Sequence, residues 1–274
     1  MKYLTLLVVC CCFACQSSES TDSKAIPTLL PEEKMRADDE QVPPQHEFLT
    51  AIFMADSLAL MPGQEESPMA FYEVSSFEAN FENDQLNAII NTALGRAIVG
   101  EDAPMRVTDL RRTIQAFVKS RIKAYGQQEV EPDLVKDMPS AYEQDHRFTT
   151  AVTYQNDRIL TLATNHYYFT GGAHGNYYTV LQSFDLKEAK EIHFTDLFRP
   201  DAKDQLTEVL SQWSEFKSED IYPTENVGFT AEGLLFNYPP YEIGSYADGE
   251  IEIVLPYDVA RDYLSDNARR LLGI

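Results

Sequence analysis

Two aromatic segments that meet at a glycine-dense turn constrain this chain more than anything else in it. Tyr167-Tyr168-Phe169-Thr170 runs into Gly171-Gly172-Ala173-His174-Gly175, and Asn176-Tyr177-Tyr178-Thr179-Val180-Leu181 runs out. Aromatic residues at this density suit a pleated, half-buried surface. Glycine at three of the five turn positions admits positive φ or the close approach of another group. Around the turn the apolar pattern has a period of two. Phe148, Thr150, Val152 and Tyr154 share one face, Gln155-Asn156-Asp157 reads as a turn, and residues 159–168 return as the partner strand. Residues 177–186 predict a third strand and Ile192-His193-Phe194 a fourth. Short strands follow at 227–230 and 234–238, and a last one at 251–255 is stopped by Pro256.

Before residue 145 the period is helical. After a strand over 71–81, Leu86, Ile89, Ile90, Ala93, Leu94 and Ala97 form one stripe, with Asn83 or Asp84 as N-cap and Gly100 as the stop. A second helix carries Leu110, Ile114, Phe117, Val118, Ile122 and Tyr125, with Thr108 as its cap and Gly126 at its end. Residues 46–60 are apolar enough for a helix ahead of Pro62-Gly63. A further helix from about 201 carries Leu206, Val209, Leu210, Trp213 and Phe216, and Asp258 caps a closing one through Tyr263. Helices and hairpins are segregated rather than strictly alternating. The expectation is an α+β fold of antiparallel sheets packed against a few helices.

All four cysteines stand at the start, Cys10, Cys11, Cys12 and Cys15. That excludes disulfides, Cys-ligated zinc and a cysteine nucleophile from the body. Lys2, the apolar run to Phe13 and Ala14-Cys15 have the layout of an export signal, too short to span a bilayer comfortably. The segment resembles a bacterial lipoprotein leader in which Cys15 becomes diacylated; the alternative is an ordinary secretory signal cleaved nearby. From Gln16 to about Gln45 the chain is rich in Ser, Pro and acids, which reads as a flexible spacer. The expected division is a leader over 1–14, an acidic linker over 15–45, an N-terminal α+β part over 46–135 and a C-terminal α+β part over 136–274.

The formal charge is −22, from 44 acidic and 22 basic side chains. Such a chain does not take nucleic acid, whose phosphates need clustered Lys and Arg. It attracts a basic protein or peptide. No Gly-x-Ser-x-Gly elbow, phosphate loop or dinucleotide fingerprint is present. The Asp-Asp and His-x-x-x-His pattern of a metal-dependent polysaccharide deacetylase is missing as well. The expectation is a protein without cofactor or metal, more a binder than an enzyme.

Three groups of residues carry a family resemblance. They are Tyr168 to Gly175 with Phe184-Asp185-Leu186, then Asp196-Leu197-Phe198, and the late run Tyr238-Pro239-Pro240-Tyr241-Glu242-Ile243-Gly244-Ser245-Tyr246-Ala247-Asp248-Gly249 followed by Leu255-Pro256-Tyr257. In this order they resemble the domain-of-unknown-function 3298 family. Residues 70–130 are similar to its usual N-terminal companion, domain of unknown function 4163. The resemblance implies the fold, a bacterial envelope setting and a binding role, with no catalytic residue. One such relative is the extracytoplasmic part of an anti-sigma factor that binds lysozyme, and others are attached to peptidoglycan deacetylases. The implied partners are a membrane reached through the lipid, a lysozyme-like cationic protein or peptidoglycan fragments. The alternative is a cell-wall glycan hydrolase or a deacetylase-associated accessory protein.

The candidate ligand-binding residues are Gly171, Gly172, His174, Gly175, Tyr241, Glu242 and Tyr246. Successive N–H groups in the glycine turn could form an anion nest beside His174; equally, the glycines could simply let two strands and a loop meet. His166 and His174 could lie near each other at a strand end. Tyrosines stiffened by Pro239 and Pro240 offer rigid contact area, or pack inward across the sheet. Glu250 and Glu252 share a strand face, where acids are ordinarily solvated.

Overall fold

A computed structural model describes residues 48–64 and 66–274. The leader, Cys15 and the acidic linker over 15–45 lie outside the described residues. Two sheets organise the rest. The larger has six strands in the order β1 (Leu49–Ala59), β2 (Met69–Ala79), β3 (Gln144–Gln155), β4 (Ile159–Phe169), β5 (Asn176–Asp185) and β6 (Lys190–Ile192). The smaller runs β7 (Val227–Phe229), β8 (Gly233–Tyr238) and β9 (Ile251–Pro256). The α+β expectation holds, with one departure: β2 and β3 pair in parallel, Ala70 opposite Gln144 and Val74 opposite Phe148. The chain between them is the helical crossover that parallel neighbours require.

That crossover contains α1 (Asp84–Val99), α2 (Leu110–Tyr125) and the short α3 (Pro132–Asp137). Asn83 caps α1 by accepting from the Gln85 and Leu86 amides, and Gly100 ends it at φ 78°. Asp109, rather than Thr108, caps α2, accepting from the Arg112 amide at 2.8 Å. Both helices lie on one face of the large sheet, where Ile90, Leu94, Ile114 and Phe117 close over Val74, Phe148, Leu162 and Phe184. A file of hydroxyls crosses this same face: Ser76 Oγ donates to Thr150 Oγ1 at 2.9 Å, and Thr150 and Thr164 hydroxyls lie 3.0 Å apart. Each of these groups is buried and paired, as desolvated hydroxyls must be.

The expected helix over 46–60 is not formed in its described part, residues 48–60. Leu49–Ala59 is β1, antiparallel to β2 along its whole length. Leu49, Ile52 and Phe53 have helical spacing, but continuous pairing with β2 overrides a short apolar run whose period is ambiguous. The fourth strand, Lys190–Ile192, is also shifted by two residues from the expected 192–194. It stops at Ile192, and His193 caps α4 (Phe194–Leu197) in a capping box with Asp196.

On the far side, α5 (Lys203–Trp213), α6 (Tyr257–Ala260) and α7 (Asp266–Leu272) cover one face of the small sheet. Leu206 and Leu210 pack with Phe229, Phe236, Leu255 and Leu264 in a second core. Trp213 was expected on the core stripe, but α5 ends there and the indole is 47% exposed. Phe216 lies beyond the helix end yet still packs against this core. The closing helix is in fact two: α6 stops at Ala260, and α7 starts under a separate cap, Ser265, which accepts from the Ala268 amide.

The opposite face of the small sheet meets the large one. Leu235 joins Ala163 and Leu181 in a small apolar patch between the sheets. Gly228 permits the close approach, since a Cβ there would sit 2.9 Å from Thr161 Cγ2. The contact also closes the open edge of β5. Asn226 Oδ1 accepts from the Leu181 amide at 2.8 Å, its Nδ2 donates to the Thr179 carbonyl at 2.8 Å, and Glu250 accepts from the Thr179 amide at 2.5 Å and hydroxyl at 2.8 Å. An edge left with bare N–H and C=O groups would invite pairing with another chain.

Candidate functional site

The glycine turn owes its composition to crowding. Gly171 stands at φ 88°, and a Cβ there would lie 2.8 Å from the Ala141 carbonyl oxygen. A Cβ on Gly175 would lie 2.4 Å from Tyr167 Oη. Gly172 has open space around it and takes φ 103°. The turn therefore lies against the 139–142 turn on one side and the Tyr167 ring on the other.

It also meets the late tyrosine run, some seventy residues on. The His174 ring stacks on Tyr246 with centroids 4.0 Å apart, and Tyr246 Oη donates to the Gly175 carbonyl at 2.8 Å. Since a carbonyl only accepts, the 2.8 Å contact of His174 Nδ1 with the Gly175 oxygen requires the Nδ1–H tautomer. Tyr241 continues the stack at 5.7 Å from Tyr246, and Tyr177 meets Tyr246 edge-on at 6.3 Å. Tyr241 holds φ 72° and its residue is 60% exposed. A bulky L-residue in that region costs about 1–2 kcal/mol, and here the outcome is an aromatic ring held out in solvent.

Four of the seven candidates thus converge through contacts, His174, Gly175, Tyr241 and Tyr246, with Gly171 and Gly172 in the same turn. Glu242 turns away. It accepts from Tyr222 Oη at 2.5 Å, a bond that with burial pushes the Tyr222 hydroxyl up to about 12. Tyr238 is fully buried and donates to the Tyr222 carbonyl at 2.5 Å. The tyrosine run therefore divides between both of its sequence readings, Tyr238 inward and Tyr241 outward.

His166 and His174 are not neighbours. His166 belongs to a different cluster, with its Nε2 3.2 Å from His146 Nδ1 and its Nδ1 3.2 Å from Tyr178 Oη. It stacks on Phe148 at 4.0 Å, while His146 stacks on Tyr72 at 4.5 Å. Burial pushes both imidazoles down to about 4, and in His166 the neighbouring His146 adds to the effect. His146 has no signal in the sequence; the β3–β4 register alone brings it to His166. Among the described residues no group of three or more His, Cys, Asp or Glu could hold a metal ion.

Glu250 and Glu252 are not simply solvated. Burial raises Glu250, offset by its bonds to Thr179. Burial and the Glu250 charge push Glu252 up to about 7. Asn237 stands directly opposite Glu252 in the sheet register.

The fold and site define a layered α+β protein whose exposed feature is a stacked aromatic edge built from two distant segments. A domain matching "Protein of unknown function (DUF3298)" covers residues 195–258, so the chain carries a DUF3298 family domain. Residues 70–177 match the family described as "Deacetylase PdaC". The glycine turn falls in the second of these matches and the tyrosine run in the first, so the aromatic edge draws on both. A DUF3298 family member from Bacteroides fragilis NCTC 9343 shares the fold at TM-score 0.71 and 22% identity, over 81% of this chain and 95% of that one. A DUF3298 family protein from Pseudomonas aeruginosa PAO1 matches at TM-score 0.51 and 18% identity, over 80% and 96%. No curated protein matches the sequence.

Proposed function

We propose that this chain is a non-catalytic recognition module of the bacterial cell envelope, lipid-anchored through Cys15, that binds a cationic protein such as a lysozyme or fragments of peptidoglycan. One observation carries the reading: the Tyr241–Tyr246–His174 stack, held outward by a strained backbone. Tyrosine supplies large rigid contact area at small entropic cost, which is why such rings dominate binding hot spots. The −22 charge supports a cationic partner by steering its approach. The two family matches together suggest a cell-wall-associated accessory protein.

The test is titration of the whole chain in detergent with lysozyme and with muropeptides, at low and high salt. Binding at low salt that weakens at least tenfold in Tyr241→Ala is the expected result. No binding to either probe at low salt would sink the reading.

A second reading, a cell-wall glycan hydrolase or deacetylase-associated protein, is favoured by the Deacetylase PdaC match and by the Glu250–Glu252 pair. A carboxyl group that keeps its proton near neutrality can serve as a general acid. Release of reducing ends or acetate from a wall polymer, abolished in Glu252→Gln, would establish it in place of the first.

A further inference from the structure

The face of the large sheet opposite α1 and α2 is only partly covered by the small sheet. At its uncovered end, Phe71, Glu143, Asp145, Arg147, Tyr167 and Phe169 line a groove of about 290 Å³. That is just below the range for ligand pockets, roughly 300–1,000 Å³, a size for one small unit of a ligand rather than a whole one. Arg147 lies at its centre. Its Nε and Nη2 donate to the Asp145 carboxylate at 2.9–3.2 Å, and its guanidinium sits 5.3 Å from the centre of the Phe71 ring. Nη1 has no hydrogen-bond partner among the described residues.

Electrostatics narrows what this groove can take. An anion would meet Glu143, Glu73 opposite Arg147, and a chain of charge −22. Aromatic rings beside carboxylates ordinarily suit a cation, but the chain's own Arg147 already fills that position. What remains is a neutral ligand with an apolar ring face for Phe71 and hydroxyl or amide groups for Nη1 and the spare Asp145 lone pairs. A pyranose has this chemistry.

The groove is also continuous with the aromatic edge. Arg147 stands opposite Tyr167, Tyr167 opposite Tyr177, and Tyr177 meets Tyr246 at 6.3 Å. Strands spaced at about 4.8 Å thus present Arg147, Tyr167 and Tyr177 as a row running across the sheet towards Tyr241, with Phe71 on the next strand opposite Asp145 and beside the Arg147 guanidinium. We infer that this row is a binding track for a neutral glycan chain, one sugar seated in the Phe71–Arg147 groove and the next units extending towards the tyrosine stack.

This inference rests on the recognition role proposed above and narrows it to one partner. The probe is chitotetraose, a neutral amino-sugar oligomer, titrated into the whole chain in detergent. The expected result is binding that persists at high salt and weakens at least tenfold in Phe71→Ala and in Arg147→Gln. Each variant is checked for an unchanged thermal melt, and Arg147→Gln carries the test if Phe71→Ala does not fold. Absence of binding, or affinity unaltered in a folded variant, overturns the track. So does a lysine-rich peptide that binds through Phe71 in preference to the sugar, since that assigns the groove to a protein. If chitotetraose fails while lysozyme or muropeptides still bind, the track alone falls. If all three fail, the recognition role falls with it.

Discussion

His146 Nδ1 and His166 Nε2 lie 3.2 Å apart across the β3–β4 register, a separation at which one proton is shared and two cannot be accommodated. One ring donates and the other accepts, and the choice propagates to Tyr178 through His166 Nδ1. Flanked by Tyr72 and Phe148, the pair is built to stay neutral.

The first prediction follows from that neutrality. Both imidazoles sit at about 4 in the fold, against 6.5 when unfolded. Between those values the unfolded chain holds more protons, so stability falls as pH falls from 6.5 towards 4. The pair's contribution is about 1–2 kcal/mol once its partial exposure is discounted. Urea unfolding across this window, for wild type and a His146→Gln/His166→Gln variant, reads the effect: the variant should lose the acid-side slope. Equal slopes would mean the rings are solvated.

Glu252 acts in the opposite sense. Its folded value of about 7 lies above the ordinary 4.5, so the fold binds the proton more tightly and stability falls as pH rises from 4.5 to 7. Glu252→Gln should therefore be more stable than wild type at pH 8, with that gain shrinking towards pH 4.5. A thermal melt series over this range checks it; a gain that does not vary with pH would place the cause elsewhere.

Gly175→Ala should destabilise by about 1–3 kcal/mol, the usual scale for overpacking. The new Cβ would overlap the Tyr167 ring, whose Oη, Cε2 and Cζ would be 2.4–2.5 Å away. In a double-mutant cycle with Tyr167→Ala the cost should largely vanish. Additive effects would show that the two do not touch.

Tyr241→Gly separates stability from recognition. Relief of the φ 72° strain should stabilise the fold by about 1 kcal/mol. Loss of the exposed ring should weaken lysozyme or muropeptide binding at least tenfold. Denaturant midpoints and titrations on the same samples decide; a variant both less stable and fully binding would contradict the strained-display argument.

Much of the architecture was legible beforehand because local patterns and tertiary packing agree. The α1 stripe from Leu86 to Ala97, its Asn83 cap and its Gly100 stop all appear, as do the hairpins around 155–157 and 170–175. Reading failed where local pattern was ambiguous or absent. Residues 49–59 carry spacing that either a helix or a strand could use, and pairing with β2 decides for the strand. The site was half legible. Glycine density and clustered tyrosines flagged both halves of the aromatic edge, but nothing local joins His174 to Tyr246, pairs His146 with His166, or seats Arg147 over Phe71.

Composition, period and cysteine placement by themselves set the class: an acidic α+β body without a cysteine after residue 15, following a segment with the layout of an export signal. These properties are carried by each residue's own chemistry or by neighbours within a few positions, so they need no folding to be read. Which tyrosine is buried and which displayed, which glutamate holds its proton, and which face of the large sheet stays open were decided only by tertiary structure. Burial, charge pairing and ring stacking act between different strands and loops, from His146 and His166 to His174 and Tyr246, and only a closed register brings those partners within reach of one another.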